Sequence, residues 1–153
     1  MKKLFALLFI LVGAVSLHAQ SVEDYVQLIK ADLDAERKAI FIENMKFNEE
    51  ESKAFWPVYD EYRAEHGKLG KERLEIYKEY IDNYENLNSE KGDELMTRYF
   101  SLNEGLLNLE KKYFNSMKEA LSTQRAVQFF QIEHRINALI QLEIMSALPI
   151  SQP

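Results

Sequence analysis

Past the first twenty residues, the side chains best suited to chemistry are His66 and His134, with Asp60, Glu61 and Glu65 near the first and Glu133 beside the second. Imidazole and carboxylate together are the donor set of a transition-metal site, which needs its ligand atoms about 2.0–2.3 Å from one ion and hence His66 facing His134. Against that, His66 falls in step with Tyr62 and Leu69 on the apolar side of a helix. A lone histidine there is more often a partly buried, hydrogen-bonded side chain than a ligand. No metal and no cofactor is assigned. Nor does the chain carry a Gly-x-Ser-x-Gly elbow, a phosphate-binding glycine loop or a His-Glu-x-x-His pair. Its acids are scattered along helix faces as solvated surface. The expectation is a protein that is not an enzyme.

Tyrosine is the more informative residue type. Tyr59, Tyr62, Tyr77, Tyr80, Tyr84, Tyr99 and Tyr113 are more than a small helical core is expected to bury, and an apolar ring with a wet tip suits loosely specific contact with protein. The first five are therefore candidate partner-binding residues. The alternative is that they edge the core with their hydroxyls at the rim.

The elements that must position these residues are all helical. Glycine and proline are few, and apolar residues recur at spacings of three and four, so nothing after residue 20 reads as a strand. A first helix is expected over about 22–44, with Val22, Tyr25, Val26, Ile29, Leu33 and Ile40 as its stripe and Glu36 interrupting it. Asn48 caps a second helix that reaches about residue 84, Glu51 completing a capping box. Pro57, and then Gly67 and Gly70, are its candidate bends. Asn88 or Ser89 starts a third helix, whose Leu95, Tyr99, Leu102, Leu106, Leu109 and Tyr113 repeat as a coiled-coil seam. The last spans about 123–147, with Phe129, Ile132, Ile136 and Leu139 as its stripe, widened by Phe130, Ala138, Ile140, Leu142 and Ile144. A helix this broadly apolar needs more than one neighbour. The expected fold is all-α, four helices in long, curved antiparallel hairpins, assembled as a homodimer.

Compartment and charge narrow the partners. Lys2 and Lys3, an apolar run from Leu4 to Leu17 and a small residue at Ala19 read as a signal peptide over residues 1–19, leaving 20–153 as one domain, secreted and by expectation periplasmic. Cleavage takes the two lysines from the chain's 19 basic residues, leaving 17 against 25 acidic ones and a net charge near −8. Such a surface repels nucleic acid and anionic lipid. Without cysteine there is neither a disulfide nor a lipid-attachment site.

The second and fourth helices start alike. Phe47-Asn48-Glu49-Glu50-Glu51 aligns without a gap on Leu121-Ser122-Thr123-Gln124-Arg125, and the register continues until Tyr62 meets Ile136. An apolar residue, a cap and a polar residue three places on is also what any capped amphipathic helix shows. With the leader and the all-helical domain, the pattern resembles the Spy/CpxP-like periplasmic proteins, whose signature is a twice-occurring Leu-Thr-x-x-Gln. Here Ser122 and Asn48 stand for the threonine, and Arg125 and Glu51 for the glutamine. The resemblance implies a thin, curved helical dimer whose concave face shields unfolded envelope proteins. Alternatively, it implies a signalling accessory that docks on a membrane sensor or anti-sigma partner, or a metal-responsive regulator. The family's chaperones present a basic cradle whereas this chain is acidic, which leaves hydrophobic contact as the attraction. If the two helix starts pack together, Glu51 and Arg125 are placed to pair.

Overall fold

The computed structural model describes residues 36–151. The expected signal peptide, and Val22, Tyr25, Val26, Ile29 and Leu33 of the expected first stripe, lie outside them. Within the described residues all regular structure is helical. It comprises α1 (residues 36–45), α2 (Glu49–Asn83), a 3-10 turn (Tyr84–Asn86), α3 (Ser89–Ala120) and α4 (Thr123–Ala147).

Local chemistry sets the boundaries. α1 stops where Lys46 takes a positive φ of 48° and its N–H reaches the Ile42 carbonyl at 3.2 Å, a left-handed closing position that more often holds glycine. Asn48 and Glu51 form the reciprocal box at the start of α2: Asn48 Oδ1 accepts from Glu51 N–H at 2.8 Å, and Glu51 Oε2 accepts from Asn48 N–H at 3.1 Å. Asn88 caps α3 by accepting from Lys91 N–H, and Ser122 caps α4 by accepting from Arg125 N–H. α2 runs unbroken through Pro57, Gly67 and Gly70. Pro57 is exposed, so the Lys53 carbonyl, which loses its usual helical partner there, can bond water instead.

The helices alternate in direction. Lys38 meets Asp60 and Phe41 meets Phe55 and Tyr59, so α1 lies antiparallel to α2. Lys112 and Tyr113 reach Glu65 while Lys91 and Arg98 reach Glu79, so α3 returns along α2. Phe114 against Phe130 and Glu110 against His134 then set α4 antiparallel to α3. α2 and α4 consequently run parallel, bridged by α1 on one side and α3 on the other. The α3 seam packs as its spacing predicts: Leu95, Leu102, Leu109 and Tyr113 are buried, and Tyr99 and Leu106 are half-buried.

The main core sits at the end that α1 covers. Phe129 is its hub, with ring centroids 4.8–6.3 Å from Phe41, Phe55, Tyr59, Tyr62 and Phe130, within the range where aromatic pairs gain beyond simple burial. One part of the expected stripe fails. Leu139 and Leu142 are 61% and 65% exposed, whereas Ile132, a heptad before Leu139, is buried. Among the described residues, the contacts of 36–45 with α4 run from Arg125 to Asn137, and Leu139 lies beyond them on the same face.

Candidate functional site

The two similar helix starts meet. Because α2 and α4 are parallel and adjacent, equivalent residues face one another: Phe55 lies 5.8 Å from Phe129, and Glu51 meets Arg125. Arg125 Nε and Nη2 donate to the two Glu51 carboxylate oxygens at 2.8 and 2.7 Å, the two-pronged geometry in which arginine binds carboxylate best. Its remaining nitrogen, Nη1, donates to the Met45 carbonyl at 2.7 Å and to Gln128 Oε1 at 3.0 Å. Gln128 in turn donates to the Asn44 carbonyl. One arginine thus ties the start of α4 to the capping box of α2 and to the last turn of α1. Phe47 packs on Phe55 and Trp56, and Leu121 on the same core. Phe47, Asn48, Glu51, Leu121, Ser122 and Arg125 therefore form a junction of three helix ends. A shallow depression lined by Phe47, Asn48, Ser52, Trp56 and Pro57 lies beside them, and the contacts among the six residues themselves serve architecture.

Hydrogen bonds from the Arg125 side chain, and after them from the Asn48 backbone, hold the Glu51 carboxyl below the usual carboxylate range. A group whose folded pKa is depressed contributes stability above its unfolded value of about 4.5, and loses it as the pH falls through the folded value. An Arg125→Gln variant should accordingly melt below the parent at pH 7, the gap narrowing as melts are repeated toward about pH 2. Coincident melts at pH 7 would show the pair to be idle.

A second polar cluster was not anticipated. Arg37 Nη1 sits 2.8 and 2.7 Å from the two oxygens of Glu133, with Arg37 2% and Glu133 0% exposed. Arg37 Nη2 donates to Asn137 Oδ1 at 2.8 Å, and Glu133 also accepts from Tyr62 Oη and Asn137 Nδ2, both at 3.3 Å. Burial, reinforced by the Glu133 charge, pushes the Tyr62 hydroxyl well above the ordinary phenol range, so it stays a donor. A signal was present in the sequence: Glu133 lies at a core position between Phe129 and Ile136, and Arg37 four residues before Phe41.

The tyrosines proposed as contact residues divide, and most of that expectation is corrected. Tyr59, Tyr62 and Tyr77 are 2%, 0% and 7% exposed and cannot offer a surface to a partner. Packing between parallel α2 and α4 buries their rings, and their hydroxyls find partners inside: Tyr62 on Glu133, Tyr77 with Gln141. Tyr80 is half-buried with its hydroxyl on the Pro149 carbonyl, and Tyr84, also half-buried, bonds Glu85. His66 and His134 do line one cleft, but His134 Nε2 is 3.1 Å from Glu110, and no group of three or more His, Cys, Asp or Glu side chains that could hold a metal is gathered among the described residues.

The accessible apolar surface lies elsewhere, on residues the seam leaves out. Met96, Phe100 and Leu107 of α3 are 48%, 58% and 51% exposed. On α4, Leu139, Leu142 and Met145 are exposed as well. Met96, Phe100 and Leu107 follow a second heptad-like spacing one position after Leu95, Tyr99 and Leu106, so the line was readable in the sequence beside the seam. No described helix is long and apolar enough to cross a membrane.

Compared with known proteins, the chain matches no family model, no curated sequence and no solved structure.

Proposed function

We propose that the chain is a secreted, periplasmic, non-enzymatic protein that binds other proteins, covering exposed segments of envelope proteins transiently and without nucleotide. The observation that carries this reading is the apolar line on α3. Spacings of four and seven hold Met96, Phe100 and Leu107 within about 40° of the helix circumference, over a length of about 16 Å. Large apolar side chains left in water along one face offer a surface of the kind that protein partners cover. The methionine among them, flexible and polarizable, adapts to varied partners. The resemblance to Spy/CpxP-like proteins and the signal-peptide pattern support the same reading, and the acidic surface makes hydrophobic contact the attraction. A homodimer belongs to the proposal.

Phe100→Glu combined with Leu107→Glu tests it. Both side chains are exposed, so the melting curve should stay within about 0.5 kcal/mol of the parent. The parent should slow aggregation of several unrelated denatured proteins at stoichiometric amounts, and the double variant should lose most of that effect. A parent inert toward every client, yet retaining one saturable partner from a membrane extract, would replace this reading with that of a signalling accessory.

A further inference from the structure

A cleft of about 410 Å³ opens beyond Arg37, walled by α2, α3 and α4. It exists partly because α2 presents Gly67 and Gly70 to it: a Cβ placed on Gly67 would meet nothing within 4 Å. Glycine is disfavoured in a helix interior, so a side chain there would both suit the helix and fill the space. Its absence keeps the cleft open.

Arg73 is one of the polar residues that line the cleft. Arg73 Nη1 donates to Gln141 Oε1 at 2.9 Å, while the Arg73 Nε is buried with no acceptor among the described residues. Gln141 is held in this orientation because its Nε2 donates to the Tyr77 hydroxyl at 2.6 Å. Buried donors are normally satisfied, and an arginine's strongest partner is a carboxylate or phosphate. Arg37, nearby in the same wall, has such a partner in Glu133, and Glu110, a carboxylate also lining the cleft, is engaged by His134. For Arg73 the described residues provide an amide, Gln141. The lining also includes the apolar side chains of Tyr99, Leu106, Ile140 and Ile144. The volume falls in the range of small-molecule sites, which pair a mostly apolar lining with a few placed polar groups.

We infer that this cleft binds a small organic acid, its carboxylate on Arg73 and its apolar body against Tyr99, Leu106, Ile140 and Ile144. This is a ligand site distinct from the protein-binding line on α3, and the two are separable by experiment.

Calorimetric titration of the full mature chain with octanoate, octylammonium and octanol tests the assignment. Octanoate should bind saturably at one site, and octylammonium should give no comparable heat. Arg73→Gln should weaken octanoate about tenfold or more, the loss expected for one charge-assisted contact. Gly67→Leu should abolish binding by filling the cleft while its melting temperature holds or rises, leucine being the better helix former, so a binding loss cannot be blamed on unfolding. Phe100→Glu with Leu107→Glu should leave octanoate affinity unchanged. No heat with octanoate, the result expected if another part of the chain fills the cleft, overturns the inference. So does equal binding of all three probes, or octanoate affinity unaltered by both Arg73→Gln and Gly67→Leu.

Discussion

Arg37→Met should destabilise the fold by about 3–5 kcal/mol, because it leaves the Glu133 carboxylate buried without its principal counter-charge. The lower end of that range is the expected outcome. Arg63 Nη1 lies 3.8 Å from Glu133 Oε1, and the Tyr62 hydroxyl and Asn137 amide each remain at 3.3 Å, so part of the charge stays compensated. The informative variant is the double one, Arg37→Met with Glu133→Leu. It removes both desolvated charges, and replacing a buried pair by apolar side chains is often neutral or stabilising, so most of the loss should return. Urea unfolding of the parent, each single variant and the double closes the cycle. A double variant no more stable than Arg37→Met would mean that Asn137 and Tyr62, not the charge pair, hold this part of the bundle.

Phe129→Ala should cost a similar amount, about 3–5 kcal/mol, for a different reason. The ring is fully buried and packs against Phe41 of α1, Tyr59 of α2 and Phe130 of α4 at once. Alanine would leave a cavity bounded by other rings, which cannot collapse into it without giving up their own contacts. Leu139→Ala, ten residues on in the same helix, should change stability by no more than about 0.5 kcal/mol, since Leu139 is already largely in water. Chemical denaturation of the two variants side by side measures the contrast, and comparable losses would show α4 to be covered over its whole length.

That contrast also locates the limit of what the sequence reveals. Hydrophobic periodicity put Ile132 and Leu139 on one stripe, correctly as geometry, since they share a helix face. Whether a given position on a face is core depends on which neighbours meet it there, and periodicity carries no such information. The same limit misplaced the tyrosines. Tyr59, Tyr62 and Tyr77 were expected at a surface because their number exceeded the room in an average small core. Two parallel helices bridged by two antiparallel ones create room along a strip, with Glu133 and Gln141 waiting as hydroxyl partners. Arg37 and Glu133 went unread for a related reason. A charge inside an apolar stripe looks like an interruption until the opposite charge, 96 residues away, is seen to interrupt a facing stripe.

The sequence by itself determined where the second, third and fourth helices begin. Asn48, Asn88 and Ser122 each accept from the backbone N–H three residues on, a bond made within one turn and indifferent to the rest of the chain. It also determined the α3 seam, because a strict four-three repeat leaves a helix one narrow apolar edge. Tertiary structure alone decided that the two similar helix starts lie side by side in register, so that the position where they differ, Glu51 against Arg125, becomes an ion pair. It likewise decided which apolar residues of the described helices stay exposed. Both outcomes depend on the relative direction and overlap of helices far apart in the chain, which no local pattern encodes.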